Sequence, residues 1–200
     1  MSFTATESDF SELWGSTERK YVIPRYQREY SWKEDNLATF WSDIHEEEEF
    51  FFGSVVLKKP ENRNTRIEII DGQQRMLTMT ILYAAIRDVA SGLGAEEEAR
   101  RVHTTRIYQV RGLRGGNFII QPTSGLKDYF ERSVQSQTPD FRSPETKEHK
   151  RVRKNYLWLK KKIEERLVFE SLDENLGVID DLLDRISKMQ IIRIMVTDSY

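Results

Sequence analysis

Residues 76–89 are apolar on nearly every helical face, with Met76, Leu77, Met79, Ile81, Leu82, Tyr83, Ala84, Ala85, Ile86 and Val89 in one run. A surface helix keeps one polar side; a helix that is apolar all round has to be covered by the rest of its domain. The chain must therefore wrap around this segment. Directly before it stands Ile67–Glu68–Ile69–Ile70–Asp71–Gly72–Gln73–Gln74–Arg75. A β-branched run meets an Asp-Gly break and passes into a helical pattern, so a strand ends where the buried helix begins. Four polar side chains crowd that junction at the edge of the core.

The bulk numbers frame this feature without explaining it. In 200 residues, 38% hydrophobic and 11% aromatic content supplies a real core. With 31 basic against 33 acidic residues the net charge is -2, so any nucleic-acid contact must be local. Cysteine is absent, which removes disulfides and thiolate chemistry, and His45, His103 and His149 lack metal-ligand spacing. The N-terminus carries no signal-peptide pattern, and no apolar run reaches the roughly 20 residues that span a bilayer. The chain reads as soluble and cytoplasmic, with no membrane partner.

Around the buried segment the expected order is helix, loop, helix, two strands, buried helix, helical remainder and strand, which is an α+β pattern. A short helix is predicted over residues 8–14, capped by Ser8 and stopped at Gly15. Residues 21–32 read as an irregular polar-aromatic loop because Pro24 forbids regular helix there. Ser31 to Glu34 forms a capping-box pattern, and Leu37, Phe40, Trp41 and Ile44 follow at helical spacing. Residues 46–49 form an acidic run, read as a solvated helix end with a cation site as the alternative. Residues 50–58 and 66–70 have strand composition, with turn formers between them, and pair economically as a hairpin.

After the buried helix, further helices are predicted over residues 96–106 and 126–134, a glycine-rich basic turn at 111–116, a strand at 117–121 and a mobile connection at 135–144. A long amphipathic helix over residues 145–169 carries a basic face including Lys147, Lys150, Arg151, Arg153, Lys154, Lys160, Lys161 and Lys162. That face is either solvated or a nucleic-acid contact. A last helix (Leu176, Ile179, Leu182, Leu183, Ile186, Met189) and a last strand over 191–196 close the chain, whose end suggests a piece cut from something longer.

At the junction, Asp71 with Gln74 three residues on is itself a capping-box pattern, so helix initiation alone explains two residues. Gly72 is a poor first residue unless the backbone must approach something closely, and Arg75 puts a cation at the positive end of the helix dipole. An anionic ligand resolves both: free N–H groups, a glycine, two amides and a guanidinium fork make a phosphate cradle. Asp71 would repel a bare phosphate and suits Mg²⁺, a water or a sugar hydroxyl better. Arg25, Gln27 and Arg28 repeat this chemistry on the loop, beside Tyr26, Tyr30 and Trp32, which offer rings for base stacking.

Three ordered stretches carry a family resemblance: Ile23–Pro24–Arg25–Tyr26–Gln27–Arg28–Glu29–Tyr30–Ser31–Trp32, then Phe52–Gly53–Ser54–Val55–Val56–Leu57, then Ile70–Asp71–Gly72–Gln73–Gln74–Arg75. Together they resemble the N-terminal domain of GmrSD-type, modification-dependent (type IV) restriction proteins, which also opens the SspE-like phage-defence proteins. The resemblance implies a ParB/sulfiredoxin-like small sheet over residues 1–110 as a nucleotide-binding core, followed by a mostly helical extension over 111–200. It implies NTP with Mg²⁺ as ligand, with Asp71, Gln73, Gln74 and Arg75 catalytic, Asp71 also the metal residue, and Gly72, Arg25, Gln27 and Arg28 binding nucleotide. The expected partners are nucleotide, modified DNA, a nuclease domain in the same or a partner chain, and a second copy of the chain. DNA contacts are expected at Tyr26, Tyr30, Trp32, Lys150, Arg151, Arg153 and Lys154.

The leading expectation is thus an NTP-binding and hydrolysing sensor domain of an anti-phage restriction protein. A non-catalytic nucleic-acid-binding module using the same Arg/Gln clusters is the alternative, and a scaffold whose junction is only a helix cap is a third reading.

Overall fold

A computed structural model describes residues 2–14, 20–46, 50–59, 66–110 and 115–197. Strands are β1 (Ser2–Asp9), β2 (Lys20–Val22), β3 (Phe51–Lys58), β4 (Arg66–Asp71), β5 (Tyr108–Val110), β6 (Gly116–Phe118), β7 (Ile120–Gln121) and β8 (Gln190–Thr197). Helices are α1 (Phe10–Trp14), α2 (Glu34–Glu46), α3 (Gln73–Gly92), α4 (Glu96–Val102), α5 (Ser124–Phe130), α6 (Lys147–Glu164) and α7 (Leu172–Lys188). The fold is α+β. The expected helix stop at Gly15, the turns at 60–65 and 111–114, and residues 47–49 and 198–200 lie outside the described residues.

Six strands form one mixed sheet in the order β1-β8-β3-β4-β2-β7, and β5 and β6 form a separate antiparallel pair. The anticipated β3–β4 hairpin is antiparallel, with Leu57 opposite Ile69 and Val56 opposite Asp71 across a bulge. Sixteen of the twenty residues of α3 are buried, as its all-round apolarity demands. It packs against α6 and α4, with α7 and β7 also in contact. No helix among the described residues is long and apolar enough to cross a membrane.

Several local expectations give way to long-range pairing. Ser8 does not cap a helix: it lies in β1, opposite Ile191 of β8, and the helix begins at Phe10. Residues 20–22, at the head of the anticipated loop, are a strand held between β4 and β7. The Ser31–Glu34 capping box is not formed, because Ser31 turns to Gln74 and Lys33 flanks the start of α2, its N–H donating to Asn36 Oδ1 at 2.9 Å. The helix α6 is shorter than its periodicity suggests, starting after Thr146, whose hydroxyl accepts from the His149 N–H. Both α4 and α5 run on into single π-helical turns, at His103–Ile107 and Glu131–Gln135. Gln135, expected at the head of a mobile connection, is fully buried and donates to the Ile120 carbonyl at 2.8 Å.

Candidate functional site at the start of the buried helix

The break between β4 and α3 is made by Gly72, whose φ of 92° and ψ of 4° lie in the left-handed region that a side chain strains to occupy. A Cβ there would also stand 3.1 Å from Val55 Cγ2. Gly72 therefore flanks the helix itself, and no side chain caps it. The Asp71–Gln74 capping box is corrected on this point: Asp71 is the last residue of β4, exposed, and Gln74 is turned away from its own helix terminus.

What Gln74 holds is the loop. Its Oε1 accepts from the Ser31 N–H at 2.7 Å and the Ser31 hydroxyl at 3.3 Å, and its Nε2 donates to the Glu29 carbonyl at 3.1 Å. Next to it, Gln73 Nε2 donates to the Arg28 carbonyl at 3.0 Å. Gln27 returns the connection, donating to the Ile70 carbonyl at 2.7 Å. Two segments far apart in sequence are thereby stitched edge to edge. Asp71, Gly72, Gln73, Gln74 and Arg75 line one cavity of about 370 Å³ together with Gln27, Arg28 and Trp32.

Two polar groups of this cavity stand out. Gln73 is 4% exposed, and its Oε1 is a buried acceptor without a partner among the described residues; such an orphan is costly unless something donates to it. The Arg75 guanidinium lies flat over Gly53: a Cβ built at Gly53 would stand 2.9 Å from Arg75 Cζ. Its Nη1 donates to the Ser54 carbonyl at 3.0 Å. Gly53, at φ 105°, thus belongs to the site, although its place in a strand and in the second of the three resembling stretches gave it no role there. An isolated glycine inside a strand pattern is the signal for such a close approach.

The far side of the loop is held by α6. Glu148 Oε1 accepts from the Tyr30 N–H at 2.6 Å, Arg151 Nη1 donates to the Tyr30 carbonyl at 3.1 Å, and Asn155 Nδ2 donates to the Trp32 carbonyl at 2.9 Å. The Tyr30 ring is fully buried, its hydroxyl bonded to Thr78 Oγ1 and Asn155 Nδ2, and burial pushes it up to about 12. Tyr30 therefore offers no face to a base, which corrects its place among the expected DNA contacts. Burial likewise raises the Glu148 carboxyl above the usual carboxylate range. Neither Glu148 nor Asn155 has a local sequence signal, because each works on residues over a hundred positions away.

The remaining sequence candidates scatter. Tyr26 is 71% exposed; Arg25 is exposed and is not among the residues lining the cavity. Trp32 is half-buried and packs edge-on against Phe40 while lining the cavity. On α6, Lys154 pairs with Glu34 at 3.0 Å. Arg153 lines a different depression with Asp140 and Arg142, and Lys150 and Arg151 face the start of α2. Among the described residues no three His, Asp or Glu side chains gather as a metal cluster.

The model of the GmrSD restriction endonuclease N-terminal domain matches residues 10–200. No curated protein matches the chain. The chain belongs to the GmrSD N-terminal domain family and is accordingly part of a restriction protein.

Proposed function

We propose that the cavity at the start of α3 binds and hydrolyses a nucleoside triphosphate, and that this domain senses DNA for a nuclease located elsewhere in the restriction protein. The observation that carries the reading is the convergence of Asp71–Arg75 with Gln27, Arg28 and Trp32 on one cavity. Guanidinium forks, backbone N–H groups freed by a left-handed glycine and the N-terminus of a twenty-residue helix all favour phosphate oxygens there.

Asp71 fits a role at a Mg²⁺–triphosphate complex, since Mg²⁺ is characteristically held by one or two carboxylates together with phosphates and waters. The ion would supply charge neutralisation on the phosphates. The chain's own groups do the rest. Gln73 Oε1, the buried acceptor, receives a hydrogen bond from the attacking water and orients it towards the terminal phosphorus. As the new P–O bond forms, the bond to the bridging oxygen breaks, the diphosphate leaves, and the water's proton passes to solvent. Arg75 and Arg28 stabilise charge on the transferred phosphoryl oxygens. Gln74, with both side-chain atoms bonded to the loop, is a positioning residue.

Steady-state hydrolysis with GTP, CTP and ATP plus Mg²⁺, with and without modified DNA, tests this. Gln73→Ala is expected to lower kcat by about a hundredfold with a smaller change in KM, as for loss of a group acting mainly in the transition state. Turnover that is absent with every nucleotide in the full-length protein, or unaltered in Gln73→Ala, would overturn it.

A further inference from the structure

Four α6 residues, Lys147, Lys150, Arg151 and Lys154, recur at i, i+3, i+4 and i+7 and so form one stripe along the helix. The stripe faces the start of α2, and with Lys33, Glu34, Asp35 and Asn155 it lines a groove of about 580 Å³. Five cations and two carboxylates meet there in a chain whose net charge is -2. Glu34 is taken by Lys154. Lys33, Lys147 and Lys150 have no ion-pair partner among the described residues. The other lysines of α6 all do: besides Lys154, Lys160 pairs with Glu164, and Lys161 and Lys162 with Glu165. Among the described residues, the α6 cations without an ion pair are Lys147, Lys150 and Arg151, which lie on the groove, and Arg153, which lines another depression.

One member of the stripe has a second attachment. Arg151 gives one Nη1 hydrogen to the Tyr30 carbonyl and no other bond among the described residues, so most of its five donors remain for a ligand. The segment it grips, residues 30–32, is the wall between groove and cavity: Ser31 is bonded to Gln74 on one side, while Tyr30 and Trp32 are bonded to α6 on the other.

We infer that the groove between α2 and α6 binds the phosphodiester backbone of nucleic acid, and that Arg151 transmits its occupancy to the loop that walls the Asp71 cavity. A phosphate in the fork fixes the guanidinium and tightens its hold on Tyr30. The groove stands independently of the nucleotide reading; only the consequence for hydrolysis rests on it. The partition also sharpens the sequence expectation, since Lys33 and Lys147 join the surface and Arg153 leaves it.

The test is fluorescence anisotropy with a labelled DNA duplex at about 50 and about 200 mM salt, without nucleotide. Lys33→Glu/Lys147→Glu/Lys150→Glu should weaken binding at least about tenfold and lower the slope of log K against log salt by about 2–3. Arg153→Ala should leave both unchanged. Lys147→Gln/Lys150→Gln, milder for the fold, should show a smaller loss in the same direction. Amide exchange at Tyr30 and Ser31 should slow when duplex is added to the unaltered protein and stay constant in the triple variant. Absence of saturable binding, equal affinity in the triple variant, displacement of duplex by a polyglutamate peptide of matched charge, or unchanged exchange at Tyr30 and Ser31 would overturn the inference. None of these readouts needs nucleotide, so failure here is distinct from failure at the cavity.

Discussion

Arg75 and Gly53 show how one residue's freedom sets another's chemistry. The guanidinium can lie where it does because nothing projects from Gly53, and a methyl at that position would collide with Arg75 Cζ. Gly53→Ala is therefore expected to displace the guanidinium from the Ser54 carbonyl and to weaken nucleotide binding by about tenfold, the order of one charged hydrogen bond. Calorimetric titration of the variant against the unaltered protein checks this; unchanged affinity would mean that Arg75 does not touch the ligand. At this scale the sequence told half of the story. Gly72 and Arg75 were conspicuous because each is wrong for an ordinary helix start. Gln74 fitted the cap pattern and misled, since its side chain had a better partner in a loop more than forty positions earlier.

At the scale of elements, the site is a loop held between two helices, α3 and α6, each of which makes three side-chain hydrogen bonds to its backbone, and α6 does so without any of the three quoted stretches. Asn155 donates both to the Tyr30 hydroxyl and to the Trp32 carbonyl. Asn155→Leu keeps the branched shape of the side chain but leaves those acceptors without a donor, so it should destabilise the protein by about 1–3 kcal/mol in urea unfolding. It should also loosen the loop, raising KM for nucleotide. A variant as stable as the parent would show that α6 merely abuts the loop. The elements legible in sequence were those whose signal is local: the all-round apolar α3, the β3–β4 hairpin and the periodic α6 and α7. Strands β1 and β2 were not legible, because β1 has no buried face to impose alternation and β2 is three residues whose partners lie in β4 and β7.

Across the whole molecule, the end of α3 remote from Asp71 is fixed by a buried polar network. Arg87 pairs with Asp88 at 2.7 Å and donates to the Val134 carbonyl, and Tyr156 donates to Asp88 at 2.7 Å. His103 sits against Arg87 and stacks on Tyr108; burial, reinforced by Arg87 and only partly opposed by Asp88, lowers its pKa from 6.5 to about 4. The folded state therefore holds His103 neutral where the unfolded chain would protonate it. The unfolded state binds more protons between those values, so this contribution to stability is present above about 6.5 and is lost as pH falls towards about 4. His103→Gln should show a shallower fall in Tm over that window than the unaltered protein; parallel curves would contradict the placement of His103.

The same framework brings Asp71 to Arg75 together with Gln27, Arg28 and Trp32 on one cavity, proposed above to hold a triphosphate. The direct measurement is isothermal titration of a Mg²⁺–nucleoside triphosphate, taking GTP, CTP and ATP in turn, into the unaltered protein and into Arg28→Ala/Arg75→Ala. Saturable binding of at least one triphosphate that the double variant loses is the result predicted. Binding by none of the three, or binding that the double variant retains, would contradict it.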